Sequence, residues 1–143
     1  MGSYEVGEGR RVVARLPRDG DLAEEILAVA REHGVDTGQV WAIGAVRRAR
    51  IAYYDQDGRT YQELDLDQPL EIASLIGNVS LRNGETALHA HAVFADGRGR
   101  THGGHVVSGC VVYACELLLS EFSGRVLERV HDDATGLPLW RDL

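Results

Sequence analysis

The chain has 143 residues and a mass of 15.6 kDa, the size of one ordinary domain that buries about two-thirds of its unfolded surface. Its 44% apolar and 26% charged residues exclude a disordered polymer. Fifteen cations, all arginine, against 22 acidic residues give a net charge of -7, which counts against binding a phosphate backbone over a broad surface and leaves room only for a local basic patch.

The whole chain, 1–143, reads as a single domain with 1–10 and 133–143 as peripheral or flexible ends. Residues 1–9 are Gly- and Glu-rich without a period, and the opening Met1-Gly2-Ser3-Tyr4-Glu5-Val6 lacks the basic and apolar regions of a signal peptide. Residues 11–16 read as a strand, stopped by Pro17 and the turn Arg18-Asp19-Gly20. The clearest helix follows. Asp21 caps it with Glu24 at capping-box spacing, Leu22, Ile26, Val29 and Ala30 share one face, and His33-Gly34 closes it. His33 is read as structural.

From there the chain reads as strands. Residues 38–54 form a long β-rich stretch in which Gly44 and Arg47-Arg48 signal a bulge or break. Asp57-Gly58 turns into 60–66, and Asp67-Gln68-Pro69 leads into 70–78. Asn83-Gly84 and Asp96-Gly97 are hairpin signals that bracket the alternating run 86–95. Strands at 101–108, 110–119 and 124–130 complete the reading, and Trp140 in the tail is expected to dock.

Strands joined by tight hairpins and covered by one main helix make an α+β domain, mostly antiparallel sheet. The run 110–119 is apolar at both strand parities, so both faces need cover, and in so short a chain the second cover is expected to be another copy. Cys110 and Cys115 lie about 16 Å apart on opposite faces of that strand and cannot bond to each other. Two unpaired thiols, no leader and no run of 18 apolar residues point to a cytoplasmic protein outside the membrane.

The informative stretch is His89-Ala90-His91 followed by His102-Gly103-Gly104-His105, which holds four of the six histidines. On a strand, i and i+2 face the same way, so His89 and His91 project side by side about 6.6 Å apart at Cα. The Asp96-Gly97 turn returns the chain beside them, within the roughly 5 Å of a cross-strand pair. His102 and His105 differ by an odd number, so only one joins the cluster. Three neutral imidazoles on one face suit zinc or another divalent transition metal with a position left open. The competing reading is hydrogen-bonded histidines in a polar cleft.

The stretches Glu71-Ile72-Ala73-Ser74-Leu75-Ile76-Gly77-Asn78, His89-Ala90-His91, Asp96-Gly97, Gly103-Gly104-His105 and Gly109-Cys110-Val111-Val112 resemble the plant and prokaryote conserved domain. This module follows AT-hooks in certain plant nuclear proteins and stands alone in many prokaryotes. Upstream, Arg15-Leu16, Gly20-Asp21-Leu22 and Gly44-Ala45-Val46 match in order. The resemblance implies a homotrimer and a metal-like site that carries over to His89, His91 and His105, with His102 left out. DNA contact in the plant proteins comes mainly from the AT-hook. Here Arg98-Gly99-Arg100 is followed by Thr101 instead of proline and reads as a hairpin turn.

Three functions are weighed. The first is a metal-site protein, with catalysis left open, whose candidate polar helpers are Glu116, as general base or as anchor for an imidazole, and Asn78 and Ser80 as supports behind the imidazoles. The second is the DNA-binding or transcription-associated role that the family label carries, opposed by the net charge despite the cluster Arg47, Arg48 and Arg50. The third is a non-catalytic trimer that binds a small ligand.

Overall fold

The computed structural model describes residues 2–141; of the two ends singled out above, Met1, Asp142 and Leu143 lie outside the described residues. Nine strands and one helix follow in order: β1 (Gly7–Leu16), α1 (Leu22–Glu32), β2 (Gly38–Asp55), β3 (Thr60–Leu66), β4 (Leu70–Arg82), β5 (Glu85–Ala95), β6 (Thr101–Val106), β7 (Val111–Ser123), β8 (Glu128–Asp132) and β9 (Leu137–Trp140). The domain is α+β, dominated by one sheet. Among the described residues, no helix is long and apolar enough to cross a membrane.

The helix ends where its capping residues place them. One Asp21 carboxylate oxygen accepts from the Ala23 and Glu24 N–H groups at 3.1 and 3.2 Å, satisfying two of the orphan donors of a helix start. The other oxygen accepts from the Gly109 N–H at 2.6 Å, which ties the helix start to the approach to β7. Gly34 follows the helix at φ 62°, the left-handed conformation that favours glycine. Leu22, Ile26 and Ala30 are fully buried against the sheet.

Strand order is β1-β7-β2-β6-β5-β4-β8-β9, with β3 beside β2 and a further β2–β4 pairing. All pairings are antiparallel except the short β4–β8 contact. The first half of β2 bonds β4 and its second half bonds β6, so β2, β4, β5 and β6 close a circuit of neighbours. A bend in β2 makes this closure feasible. Register shifts fall between Ala42 and Gly44 and again around Val46, and Gly44 sits at φ 147° where a Cβ would strike the Ala114 carbonyl.

Two expectations shift in detail. Within the stretch expected to be peripheral, β1 already starts at Gly7, where Arg10 grips the Glu121 carboxylate through two nitrogens at 2.7 and 2.8 Å. The expected strand 124–130 begins later, as β8 at Glu128, and the tail forms β9 against it. Both cysteines are free and buried, and burial, above all, pushes each thiol up to about 11.

The second sheet face carries large exposed apolar groups. Val13 is 79% exposed, Trp41 42%, Ile43 57% and Ile76 53%. Pairing registers string Val13, Leu118, Trp41, Ile76, His91 and His105 into one cross-strand row over six strands. The apolar stripe therefore runs directly into the histidines.

Candidate metal centre

β5 alternates cleanly. Ala90, Ala92 and Phe94 point into the core at 3% exposure or less, which sends His89 and His91 to the outer face. The turn after β5 is fixed by Asp96, whose carboxylate accepts from the Arg98 and Arg100 N–H groups at 2.9 and 3.0 Å and from the Arg100 guanidinium at 2.8 Å. Hydrogen bonding by that guanidinium, first of all, holds the Asp96 carboxyl below its ordinary range. The returning strand sets His105 directly opposite His91. His102 falls opposite Phe94, on the other face, as the odd spacing requires. Arg98-Gly99-Arg100 belongs to this turn.

The three rings converge. Centroids of His89, His91 and His105 lie 5.3 to 5.6 Å from one another, and one nitrogen from each falls within 4.8 Å of the other two. Tetrahedral zinc with bonds of about 2.0–2.1 Å spaces its ligands roughly 3.4 Å apart, within reach of small side-chain rotations. His105 Nδ1 is buried without a hydrogen-bond partner, an orphan that a metal or its surroundings would satisfy. Burial first, then Arg129 and the neighbouring imidazoles, pushes the His89 pKa down to about 4. His105 is lowered by burial and then by His91 and Arg129. Both rings are thereby held neutral, the form that ligates metal. Tyr61 stacks on His105 at 5.1 Å and fixes that ring's plane. The donor set fits a divalent transition metal.

The expected helpers are placed otherwise. Asn78 lies opposite His89 across the β4–β5 ladder, yet its Oδ1 accepts from Arg129 at 2.6 Å and Ser80 Oγ accepts from Arg129 at 2.9 Å. Among the described residues, both anchor that guanidinium and neither bonds an imidazole. Glu116 sits opposite Ile43 and Arg15, in a groove with Val13 and Trp41. Strands β2 and β4 stand between it and β5, so the fold does not bring Glu116 to the histidines of its own chain. The basic cluster near Gly44 is largely engaged: Arg47 reaches Asp19 at 2.6 Å and Arg50 reaches Asp65 at 2.9 Å.

Arg129 and Tyr61 are the neighbours that sequence reasoning passed over. Arg129 is 8% exposed and arrives through the parallel contact of β8 with β4, a pairing that no alternation pattern announces. Its sequence neighbours Glu128 and His131 are themselves polar, so no break in an apolar run marks it.

With the geometry in hand, comparison places the chain among known proteins. It superposes on a metal-containing protein of Archaeoglobus fulgidus with a TM-score of 0.94 and 39% identity, covering 99% of this chain and 100% of that one. It matches a plant- and prokaryote-conserved protein of Pyrococcus horikoshii with a TM-score of 0.92 and 33% identity, over 100% of this chain and 99% of that one. It is also 33% identical over 124 residues to the bifunctional protein GlmU of a Synechococcus species, covering 85% of this chain. The chain spans less than a fifth of the length of the curated relatives it matches. The model of the Plants and Prokaryotes Conserved domain matches residues 3–123, the span that holds the helix, seven of the strands and all three converging histidines, and the chain belongs to that family.

Proposed function

We propose that the protein is a homotrimer holding a divalent transition metal, zinc by its donor set, at His89, His91 and His105, in the cytoplasm. The single observation that carries the reading is the approach of three ring nitrogens within 4.8 Å on one sheet face. The archaeal relative described as metal-containing, similar over nearly its full length, supports it. Three neutral ligands leave coordination open, and a divalent metal there supplies Lewis-acid polarisation of an oxygen ligand. The chain's own residues orient the rings, through the β5–β6 register and Tyr61, and keep two of them unprotonated. A small-molecule ligand is the natural partner of a metal position left open in this way.

The assembly rests on the exposed row from Val13 to Ile76, since monomers rarely leave so continuous an apolar stripe in water. Elemental analysis of protein purified without added metal tests the metal reading. About one metal per chain, lost in His89→Ala, is expected. Substoichiometric metal that does not rise on adding zinc, and is unchanged in His89→Ala, would overturn it.

A further inference from the structure

A cavity of about 440 Å³ opens beside the histidines, between the β2–β3 hairpin and the β8–β9 hairpin. Its lining contains Arg59, Arg82 and Arg129 together with His89, His105 and Tyr61, and, among the described residues, no Asp or Glu. In a chain of net charge -7 that is a pronounced local reversal of sign.

Arg129 is the centre of it. The residue is 8% exposed, and its guanidinium donates to Ser80 Oγ, the Pro138 carbonyl and Asn78 Oδ1 at 2.9, 3.0 and 2.6 Å. All three acceptors are neutral, and they use three of the five N–H donors of an arginine. No carboxylate among the described residues pairs with it. Arg–carboxylate pairs among the described residues, such as Arg10–Glu121, Arg47–Asp19 and Arg100–Asp96, lie elsewhere. Arg129 lies over the Trp140 ring at 5.4 Å, which offsets part of its lost hydration. Arg59 likewise spends its donors on backbone carbonyls, those of Asp133 and Ala134. A buried guanidinium without a counter-ion is costly to keep, and a planar fork with spare donors matches an oxyanion.

We propose that this cavity is a receptor for a small organic oxyanion, whose carboxylate or phosphoryl oxygens pair with Arg129 while its body lies along Tyr61 and Leu139. The proposal deepens the metal reading, because a divalent ion on three neutral imidazoles adds positive charge to a pocket whose described lining holds no Asp or Glu. The deficit at Arg129 exists with or without the ion, so the two readings fail separately.

The experiment titrates orthophosphate, acetate and, as a neutral control, acetamide into the full chain, once metal-free in EDTA and once zinc-loaded. It follows the Arg129 Nε–H resonance by NMR and, in wild type and the Arg129 variants alike, the indole N–H of Trp140, whose ring lies against Arg129. Saturable shifts with phosphate or acetate, none with acetamide, and at least about a tenfold loss of affinity in Arg129→Gln are expected. The stronger of the two anions names the phosphoryl or the carboxylate class. If Arg129→Gln does not fold, Arg129→Lys, which keeps the charge without the fork, is expected to bind more weakly than wild type. Absence of any saturable shift at Arg129 in either state overturns the proposal, as does binding that Arg129→Gln or Arg129→Lys leaves unchanged. Zinc uptake without anion binding rejects this inference alone, whereas anion binding without zinc uptake rejects the metal reading alone.

Discussion

His91 faces His105 across the β5–β6 ladder with ring centroids 5.6 Å apart, yet the first ring is exposed and the second half-buried under Tyr61. The two therefore separate metal binding from folding. His91→Ala is expected to change stability by less than about 0.5 kcal/mol, as exposed positions do, while abolishing stoichiometric metal. His105→Ala is expected to lose the metal and also lower the melting temperature, because it strips the stacked neighbour from Tyr61. Melting curves in EDTA beside elemental analysis check both. Full metal retention in His91→Ala would count against the triad.

Acid should weaken the metal-free fold through His89. Its native pKa lies near 4 against an ordinary 6.5, so between those values the unfolded chain takes up a proton that the native chain declines. Stability then falls as pH falls through that window, by on the order of 1–2 kcal/mol once the ring's partial exposure is allowed for. The lowered His105 acts with the same sign. Urea midpoints in EDTA at pH 6.5 and 4.5 should drop less in His89→Gln than in wild type. Equal drops would remove His89 as the cause.

Trp41 sits mid-row, between Leu118 and Ile76, with 42% of its surface in water. A charge there should block the apolar stripe from meeting another copy. Trp41→Asp is expected to sediment as a monomer with the wild-type far-ultraviolet spectrum, against a trimer for the unaltered chain. A wild-type monomer at micromolar concentration would dismiss the assembly outright.

Gly77 faces Ala90 in the β4–β5 ladder, where an added Cβ would meet the His89 carbonyl and stand 2.7 Å from the Ala90 Cβ. Gly77→Ala is expected to cost about 1–3 kcal/mol, as overpacking does. By pushing the β5 backbone it should also weaken zinc affinity, which competition with a chromophoric chelator reads directly.

What the chain discloses in advance follows the physics of short range. Asp21, Gly34 and the period of Leu22, Ile26 and Ala30 fix the helix locally. Asn83-Gly84 adopts the two positive φ angles, 54 and 78°, of a tight hairpin, so that signal is read without tertiary knowledge. The triad was legible for the same reason, since period two plus one turn determines which imidazoles meet. Glu116 was not placeable, because strand order decides its neighbours and β2 and β4 intervene. Arg129 was invisible because its approach depends on a two-residue parallel contact made after the chain has crossed the sheet.

The imidazoles and the buried guanidinium travel on separate stretches of the polypeptide. The former lie on β5 and β6, inside the span 3–123, and the latter on the β8–β9 hairpin, whose ladder contact with β4 among the described residues is confined to Leu81 and Arg82, with the Arg129 side chain bonding Asn78 and Ser80 beside it. Recombination just beyond Ser123 would exchange the charge that confronts the triad and leave the triad itself untouched. On the proposed oxyanion reading, ligand preference would change with the β8–β9 hairpin while the circuit of β2, β4, β5 and β6 beneath it kept its pairing.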